Sequence, residues 1–408
     1  MTPRIGLVAG EPSGDLLASR IMHGLIQRAE PALCAGIGGP AMAAQGLETW
    51  HSMHALTVFG YVDAFKRLPG LLGTYFDVRR RWLAQRPDVF VGIDAPDFNL
   101  RLERVLKQAG IPTVHFVGPS IWAWRYERIH KIRAAVSHML VLFPFEEALY
   151  QREGVPVTYV GHPLASAIPA MPDRQAVRRF LGIDEGARVL AMMPGSRASE
   201  IRLLAPRFLQ AVRLLQADDP ALSVLVPMVN AQRRAEFEAI LRRNPISNCR
   251  ILGGPEPGDG LAPGGKRESV GAGYDDRPAA WNAMEAADAV LVASGTATLE
   301  AALFKRPMVI SYVLSPMMRR LMAWKSGQSR PYVPWVGLPN VLLNDFAVPE
   351  LLQDDATPEA LAKATQAALY DSSLAEHLRR RFTGLHADLT RDTAGLAAKV
   401  ILEQAGAA

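Results

Sequence analysis

Cysteine is almost absent from the 408-residue chain, which has Cys34 and Cys249 alone. Two cysteines so far apart provide neither metal-ligand spacing nor a disulfide framework, so a reducing compartment is the default expectation. No run of about eighteen apolar residues occurs, which excludes a membrane-spanning helix. Residues 1–5 lead directly into an apolar stretch. We therefore expect no signal peptide and a soluble or peripheral protein.

Three signatures of other function classes are also missing. Neither half of the chain has the glycine fingerprint of dinucleotide binding, which argues against a dehydrogenase. Basic residues are spread out rather than clustered, which argues against nucleic-acid binding. No acidic pair at metal-ligand spacing follows a strand of the second half, because Asp275 and Asp276 fall in a presumed loop. The sequence therefore predicts neither a metal nor a cofactor.

The composition that remains is that of an ordinary globular protein, with 49% apolar and 21% charged residues. A chain of this length exceeds one compact core and suggests two domains. The net charge of +5 makes the protein mildly basic. This balance favours anionic partners such as phosphate ligands or an anionic membrane surface.

Apolar stretches of strand type alternate with helical stretches, which predicts an α/β fold with parallel sheets. A proline-containing linker at 165–173 divides two such series. We place an N-terminal domain at 1–165 and a second domain at 166–350. Helices at 351–408 would return toward the N-terminal domain.

The most informative stretch is 89–99, where an apolar run stops at Asp94. In an open α/β sheet the carboxyl ends of the strands are where ligands bind. Asp97 or Asn99 is a suitable cap for the helix that follows, with a helix start near Asn99. A carboxylate directly after an apolar strand is costly unless it is solvated, paired or used in function. Asp94 is therefore a candidate functional residue, and a structural network is the alternative.

A second turn follows the first apolar strand, Ile5 to Ala9, and opens a helix. Strand, glycine-containing turn and helix form the layout of a phosphate- or sugar-binding loop. Glu11 and Asp15 would repel a pyrophosphate, so a hydroxyl-rich or carbonyl partner fits better, and Asp15 could be a mere helix cap. The candidate contacts are Gly10, Glu11, Ser13 and Gly14.

Two further loops of the first half carry candidate residues. The loop after the stretch 113–117 contains Trp122 and Trp124, which need either packing or a ligand to cover them. His162 lies between a glycine and a proline after another strand. It could be catalytic or hydrogen-bonded in a hinge, and the flanking residues favour the hinge.

The second half has two turns suited to anions. The strand at 189–193 runs into Gly195, Ser196 and Arg197. The strand at 290–293 runs into a helix that begins with small and hydroxyl residues, where free N–H groups and the helix dipole attract negative charge. Its candidates are Ser294, Gly295, Thr296 and, for a ribose diol, Glu300. A capped core helix is the alternative.

One amphipathic helix is predicted around 65–76, with apolar residues at helical spacing and arginines beside them. The pattern favours a core-facing helix with a solvated basic face. The alternative is an interfacial helix that meets lipid, with 317–325 as a second contact. Its lipid-facing residues would be Phe65, Leu68, Leu72 and Phe76. The stretch 253–277, rich in glycine, proline and charge, is predicted to be a flexible surface insertion without chemistry.

Six blocks of sequence together resemble the lipid-A-disaccharide synthase family of inverting glycosyltransferases. They occur in the family's order and cover nearly the whole chain, at 9–15, 92–99, 119–125, 194–197, 293–297 and 338–340. The resemblance implies the GT-B fold, in which two Rossmann-like doubly wound domains face a cleft. The longer insertion at 253–277 and the segment 344–346 depart from the family pattern.

The resemblance also implies an activity and its partners. The family transfers 2,3-diacylglucosamine from UDP-2,3-diacylglucosamine to the 6-hydroxyl of 2,3-diacylglucosamine 1-phosphate, forming a β-1,6 disaccharide and UDP. By motif, Asp94 is an essential acid and Arg197 an essential cation. Sugar transfer with inversion needs a base for the acceptor hydroxyl, and Asp94 is the candidate general base. Ser294 to Thr296, Glu300 and Asn340 lie near the nucleotide. We further expect peripheral contact with the cytoplasmic face of the inner membrane, and a homodimer is possible.

Two rival functions remain open at this point. Another UDP-sugar enzyme of the same architecture, such as a UDP-sugar 2-epimerase or a lipid-linked N-acetylglucosaminyltransferase, would share most of these features. A non-enzymatic nucleotide-sugar or membrane-scaffold protein is the second rival. Asp94 and Arg197 argue against it, since binding alone gives no reason to place an acid opposite the nucleotide.

Overall fold

The computed structural model describes residues 2–28, 32–56, 61–254, 274, 277–315, 317–319 and 332–406, without the side chains of 12 and 61–68. The chain forms two compact units. The first comprises Met1–Ser166 together with Asp388–Ala408, and the second comprises Ala167–Ala387. The C-terminal stretch 351–408 is therefore shared between the units, and its last part alone belongs to the first.

The first unit is built on a parallel sheet of seven strands. They are β1 (Arg4–Ala9), β2 (Leu33–Gly38), β3 (Glu48–Ser52), β4 (Val89–Ile93), β5 (Thr113–Phe116), β6 (His138–Val141) and β7 (Val157–Tyr159). Their order across the sheet is β3-β2-β1-β4-β5-β6-β7. This order reverses between β1 and β4, which are hydrogen-bonded neighbours.

The second unit repeats this arrangement with a parallel sheet of six strands. They are β8 (Val189–Met193), β9 (Ser223–Pro227), β10 (Cys249–Leu252), β11 (Ala289–Ala293), β12 (Met308–Tyr312) and β13 (Glu350–Leu352). The order is β10-β9-β8-β11-β12-β13, so the reversal falls between β8 and β11. In open sheets of this kind, ligands bind beyond the carboxyl ends of the strands at such a reversal.

Helices connect the strands and cover both sheets. They are α1 (Pro12–Arg28), α2 (Pro40–Ala44), α3 (Tyr61–Ala84), α4 (Pro96–Gln108), α5 (Ile129–Ala135), α6 (Pro144–Arg152), α7 (Pro163–Ala167), α8 (Arg174–Leu181), α9 (Ala198–Asp218), α10 (Ala231–Arg243), α11 (Ala279–Ala286), α12 (Thr296–Leu303), α13 (Leu338–Leu343), α14 (Pro358–Tyr370), α15 (Ser372–Leu389) and α16 (Thr393–Gln404). Short 3₁₀ turns lie at Met53–Ala55, Tyr126–Arg128 and Gln353–Asp355. In the described part of the chain, no helix combines the length and the apolar character needed to cross a bilayer.

The last helix completes the core of the first unit. Ala397 and Ile401 of α16 are fully buried in the same apolar cluster as Leu7 of β1 and Leu25 of α1. A Cβ atom on Gly24 would lie 2.9 Å from the Ala394 carbonyl oxygen, so a glycine is needed where α1 and α16 touch. The fully apolar strand β4 is buried along its whole length, as expected for a central parallel strand.

Candidate active site

Asp94 lies directly beyond the carboxyl end of β4, at the reversal point of the first sheet. Its backbone N–H donates to the Phe116 carbonyl at 2.9 Å, which fixes the turn to the neighbouring strand. Asp94 and Ala95 both have left-handed backbones, with φ of 52° and 44°. Consecutive residues in this region are costly outside glycine and often mark functional sites. The Asp94 carboxylate is half-buried and has no hydrogen-bond or ion-pair partner among the described residues.

The expected helix caps of this motif have other roles. Helix α4 begins at Pro96, three residues before the expected start, so neither Asp97 nor Asn99 is its cap. Asp97 is exposed and pairs with Arg128 at 3.0 Å. Asn99 is completely buried, and its side chain donates to the carbonyl oxygens of Ile93 and Asp94. Proline at the first helical position explains the earlier start, since its fixed φ suits that position.

The turn after β1 lies against the turn that carries Asp94. A Cβ atom on Gly10 would lie 3.0 Å from the Ala95 Cβ, so glycine lets the two turns approach. Glu11 and Ser13 are exposed, while Gly14 is buried near Ala9 and Ile93. The structure thus brings this predicted loop and Asp94 together at one edge of the sheet.

The Asp15 carboxylate is not available to bind a ligand at this loop. Its buried carboxylate accepts hydrogen bonds from the backbone N–H groups of Gly39, Ala41 and Met42, at 2.8 to 3.1 Å. These groups lie at the start of α2, so Asp15 stabilises the N-terminus of another helix. It caps a helix distant in sequence, which local spacing does not reveal.

The loops after β5, β6 and β7 bring several aromatic rings to the same edge. Trp122 packs edge-on against Phe145 with centroids 5.3 Å apart, and Phe143 stacks on His162 at 5.5 Å. Trp124 is half-buried in this region. Because the carboxyl ends of parallel strands lie along one edge of a sheet, these rings and Asp94 lie at the same edge of the first sheet.

His162 is held in place by hydrogen bonds, as the sequence favoured. Its backbone N–H donates to the Leu389 carbonyl at 2.9 Å, and its Nδ1 accepts from the Leu164 N–H at 3.2 Å. Burial lowers the pKa of His162 to about 4, so the ring is neutral near pH 7. Nearby Glu146, which sequence reasoning missed within a helical stretch, is buried, and burial raises its pKa to about 8.

The turn after β8 is organised around a carboxylate that the sequence analysis did not consider. Glu200 accepts the N–H groups of Ser196 and Arg197 at 2.9 and 3.1 Å and pairs with the Arg197 guanidinium at 3.2 Å. Gly195 has φ of 120°, and a Cβ there would lie 2.6 Å from a Glu200 carboxylate oxygen. The Ser196 N–H expected to face the diphosphate is thus already engaged. The Arg197 side chain is 78% exposed.

The turn after β11 is more open. Ser294 is half-buried and its N–H donates to the Ser311 carbonyl at 2.9 Å. Gly295 and Thr296 are exposed, and no atom lies within 4 Å of where a Gly295 Cβ would be. Helix α12 begins at Thr296; the Thr298 N–H donates to the Gly295 carbonyl at 3.1 Å, whereas the N–H groups of Thr296 and Ala297 have no acceptor among the described residues. An exposed helix start of this kind suits an anion.

Glu300 and Asn340 are more constrained than the sequence suggested. Burial raises the pKa of the Glu300 carboxyl, and a hydrogen bond from Trp281 lowers it in part. Asn340 is fully buried; its Nδ2 donates to the Val348 carbonyl and to Glu350, and its Oδ1 accepts the Val348 N–H. A direct contact of Asn340 with a nucleotide would require these bonds to break.

We therefore expect Asn340→Ala to act on stability. The change leaves the buried Val348 N–H and carbonyl without this partner, while Glu350 keeps the N–H groups of Val336 and Gly337. Each buried group left unpaired costs about 1 to 3 kcal/mol. Urea denaturation followed by circular dichroism should show a lower midpoint, with the KM for the nucleotide donor unchanged. A raised KM at an unchanged midpoint would instead place Asn340 in contact with the nucleotide.

Neither cysteine is suited to chemistry. Cys34 is buried and Cys249 half-buried, and burial raises the pKa of each thiol to about 11. Among the described residues, no three His, Cys, Asp or Glu side chains lie close enough to hold a metal ion.

Helix α3 has one buried and one exposed apolar face. Val78 and Trp82 belong to the core, where Trp82 packs on Phe90 at 4.9 Å. Leu72 and Phe76 are 43% and 57% exposed. The side chains of Phe65 and Leu68 lie outside the described residues, as do most of 253–277 and of 317–325. The helix thus packs against the core with one face and exposes apolar side chains on another.

Comparison with known proteins identifies the chain. The family model described as lipid-A-disaccharide synthetase matches residues 5–252 and 276–401. The chain belongs to the lipid-A-disaccharide synthase family. It is 69% identical to the lipid-A-disaccharide synthase of Bordetella petrii over 405 residues, covering 99% of both chains. It is 48% identical to that of Aromatoleum aromaticum, covering 98% of this chain and 96% of the relative. The protein is therefore a glycosyltransferase of lipid A biosynthesis.

Solved structures show the fold that this member of the lipid-A-disaccharide synthase family shares. A UDP-GlcNAc 2-epimerase from Neisseria meningitidis bound to UDP-GlcNAc has a TM-score of 0.61 at 10% identity, with 98% of each chain covered. A glycosyltransferase involved in lipopolysaccharide biosynthesis has a TM-score of 0.56 at 15% identity, covering 99% of this chain and all of that one. The two Rossmann-like units are those of the GT-B fold, as the sequence predicted.

Proposed function

We propose that the enzyme transfers 2,3-diacylglucosamine from UDP-2,3-diacylglucosamine to the 6-hydroxyl of 2,3-diacylglucosamine 1-phosphate. The products are the β-1,6-linked disaccharide 1-phosphate and UDP, formed with inversion. Membership in the lipid-A-disaccharide synthase family supports the substrate class. The observation that carries the mechanism is Asp94, an acid without a partner among the described residues, held on a left-handed turn at the reversal point of its sheet.

Asp94 acts as the general base in this proposal. Its carboxylate takes the proton of the acceptor hydroxyl as that oxygen attacks the anomeric carbon, and the bond from this carbon to the UDP oxygen breaks. A single carboxylate suffices because UDP needs little protonation to leave. Gly10, Glu11, Ser13, Gly14 and Trp124 are the proposed contacts of the first unit with the sugar.

The second unit holds the departing nucleotide in this proposal. The exposed Arg197 guanidinium and the first-turn N–H groups of α12 supply positive charge for the diphosphate. The Arg197 guanidinium remains exposed, but Glu200 accepts the N–H groups of Ser196 and Arg197. In this proposal the diphosphate is therefore bound more by the N–H groups of Gly295 and Thr296. Ser196, Ser294, Glu300 and Asn340 remain proposed neighbours of the nucleotide, and no metal or cofactor is part of the proposal.

A product assay tests the reaction. The purified enzyme is incubated with both substrates, and the products are separated by thin-layer chromatography and identified by mass spectrometry and NMR. We expect equimolar disaccharide and UDP, with a β configuration at the new linkage. Conversion of the donor sugar to an epimer with UDP retained would support the rival 2-epimerase, and an α linkage would contradict inversion.

The acyl chains of both substrates require an apolar environment, and α3 is the proposed contact with an anionic membrane. Leu72 and Phe76 are exposed on this helix beside the basic Arg79 and Arg80. Phe65 and Leu68 are proposed to extend this surface. Peripheral attachment to the cytoplasmic face of the inner membrane and a homodimer are part of the same proposal.

The exposed parts of Leu72 and Phe76, 43% and 57%, together amount to about one apolar side chain, whose burial contributes about 1.5 to 3 kcal/mol. Replacing both by serine should therefore weaken binding to anionic vesicles by about 10- to 100-fold. Vesicle co-sedimentation measures this, with circular dichroism to verify the fold. The matched control replaces Met171 and Val229, which are exposed in the second unit, by serine. Equal binding of all three proteins would leave the exposed face of α3 without a role at the membrane.

A further inference from the structure

A column of buried polar side chains lies directly beneath the turn that carries Asp94. Its members are Asn99 and Glu103, one turn apart on α4, and His115 on β5. All three are completely buried. His115 Nδ1 and Glu103 Oε1 are 2.7 Å apart, a hydrogen-bonding distance. The column therefore joins helix α4 to strand β5 immediately below the candidate base.

Asn99 connects this column to Asp94. Its Nδ2 donates to the Asp94 carbonyl at 2.7 Å and to the Ile93 carbonyl at 3.3 Å. These two carbonyls precede Ala95, which, like Asp94, has a left-handed backbone. A residue held in this region persists when its surroundings determine it, and the Asn99 amide supplies such a constraint. The direction of the Asp94 side chain follows from the φ and ψ that this amide fixes.

Gly92 makes room for the column. It pairs in register with His115, and a Cβ atom there would lie 2.9 Å from the Asn99 Cβ and would overlap Glu103 Oε1. The polar side chains thus occupy the space next to the strand where an apolar side chain would otherwise pack. Gly92, two residues before Asp94, therefore contributes no side chain to the apolar core.

The column lowers the stability of the folded protein. Asn99 Oδ1, Glu103 Oε2 and His115 Nε2 are buried without a hydrogen-bond partner among the described residues. Buried polar groups left unpaired are destabilising, and apolar residues of the same size are often better for stability. Three such atoms within one cluster next to a candidate base indicate a role in function.

We propose that Asn99, which lies beside the Glu103–His115 pair over Gly92, is a positioning residue that sets the orientation of the Asp94 carboxylate toward the acceptor hydroxyl. This inference rests on the proposed role of Asp94 as base. Asn99 makes no contact with substrate in this scheme, so its effect on the reaction passes entirely through Asp94.

The test is a double-mutant cycle on the full-length enzyme with both lipid substrates. Asn99→Ala should lower kcat by about 10- to 100-fold with KM within about twofold, since misplacing a reacting group costs rate rather than binding. Asn99→Asp retains the volume but loses the donor, so its loss should be at least as large. In the Asp94→Asn background, Asn99→Ala should lower kcat no further, because the two residues act as one unit.

Asn282→Ala is the matched control, because Asn282 is also a buried amide that donates to a backbone carbonyl, that of Tyr274. It should lower thermal stability and leave kcat unchanged. Additive effects of Asn99→Ala and Asp94→Asn, or a lower melting temperature with normal kcat, would overturn the inference. Should Asn99→Ala fail to fold, Glu103→Gln, which keeps the side-chain volume, enters the same cycle with the same expected outcome. An unaltered rate in Asp94→Asn alone would instead refute the proposed base.

Discussion

Replacing Asp94 by asparagine is expected to lower kcat by about 100-fold or more, the usual size of a general-base contribution. Asparagine has nearly the same shape and, like aspartate, tolerates the left-handed backbone found here, with φ of 52°. The turn should therefore persist while the proton acceptor is lost. Steady-state kinetics with both lipid substrates, accompanied by a thermal melt to show an intact fold, measures the effect.

The chain provides a matched control for this change in Asp97, which lies in the same motif. Asp97 is exposed and pairs with Arg128 at the surface, where ion pairs contribute little. Asp97→Asn should therefore leave both kcat and stability near their normal values. Similar rates for Asp94→Asn and Asp97→Asn would remove Asp94 from the role of base.

The second large effect is expected for Arg197→Ala. A charged donor that stabilises the leaving diphosphate contributes about 100- to 1,000-fold to kcat, by analogy with other donors aimed at developing charge. The side chain is 78% exposed, so its removal should cost little stability. Glu200 retains the N–H groups of Ser196 and Arg197, which keeps the turn in place. Kinetics at saturating donor, with UDP release as the readout, measures the loss.

Arg202→Ala is the control for the loss of positive charge, since Arg202 is exposed on α9, the helix for which Arg197 is the N-cap residue. It should leave kcat within about twofold, because an exposed charge at a distance is screened by salt. Were Arg197→Ala to match this control, the diphosphate would have to be held without Arg197. The turn after β11 would then carry the leaving group.

Much of the architecture could be predicted from local pattern. The apolar run before Asp94 predicts a central parallel strand, and β4 is buried along its length. The turns after β8 and β11 could be recognised because small residues follow an apolar run and open a helix. Such features depend on neighbours in sequence, where periodicity and turn chemistry carry information.

The rest depends on contacts between distant residues. Asp15 looked like a cap for its own helix but bonds the start of α2. The resemblance places Asn340 near the nucleotide, but the sequence does not show that its amide bonds Val348 and Glu350. Burial and long-range hydrogen bonds decide which polar side chains remain available, and one sequence alone does not reveal them.

The placement of α16 in the core of the first unit has a consequence for biosynthesis. The second unit, Ala167–Ala387, is an insertion within the first, and helix α16 of the first unit is translated after the whole of the second. On the ribosome the inserted unit can emerge and fold while the earlier part still exposes the apolar surface that α16 covers. The half of the enzyme that carries Asp94 would thus reach its native state after the half that carries Arg197, although its synthesis starts first.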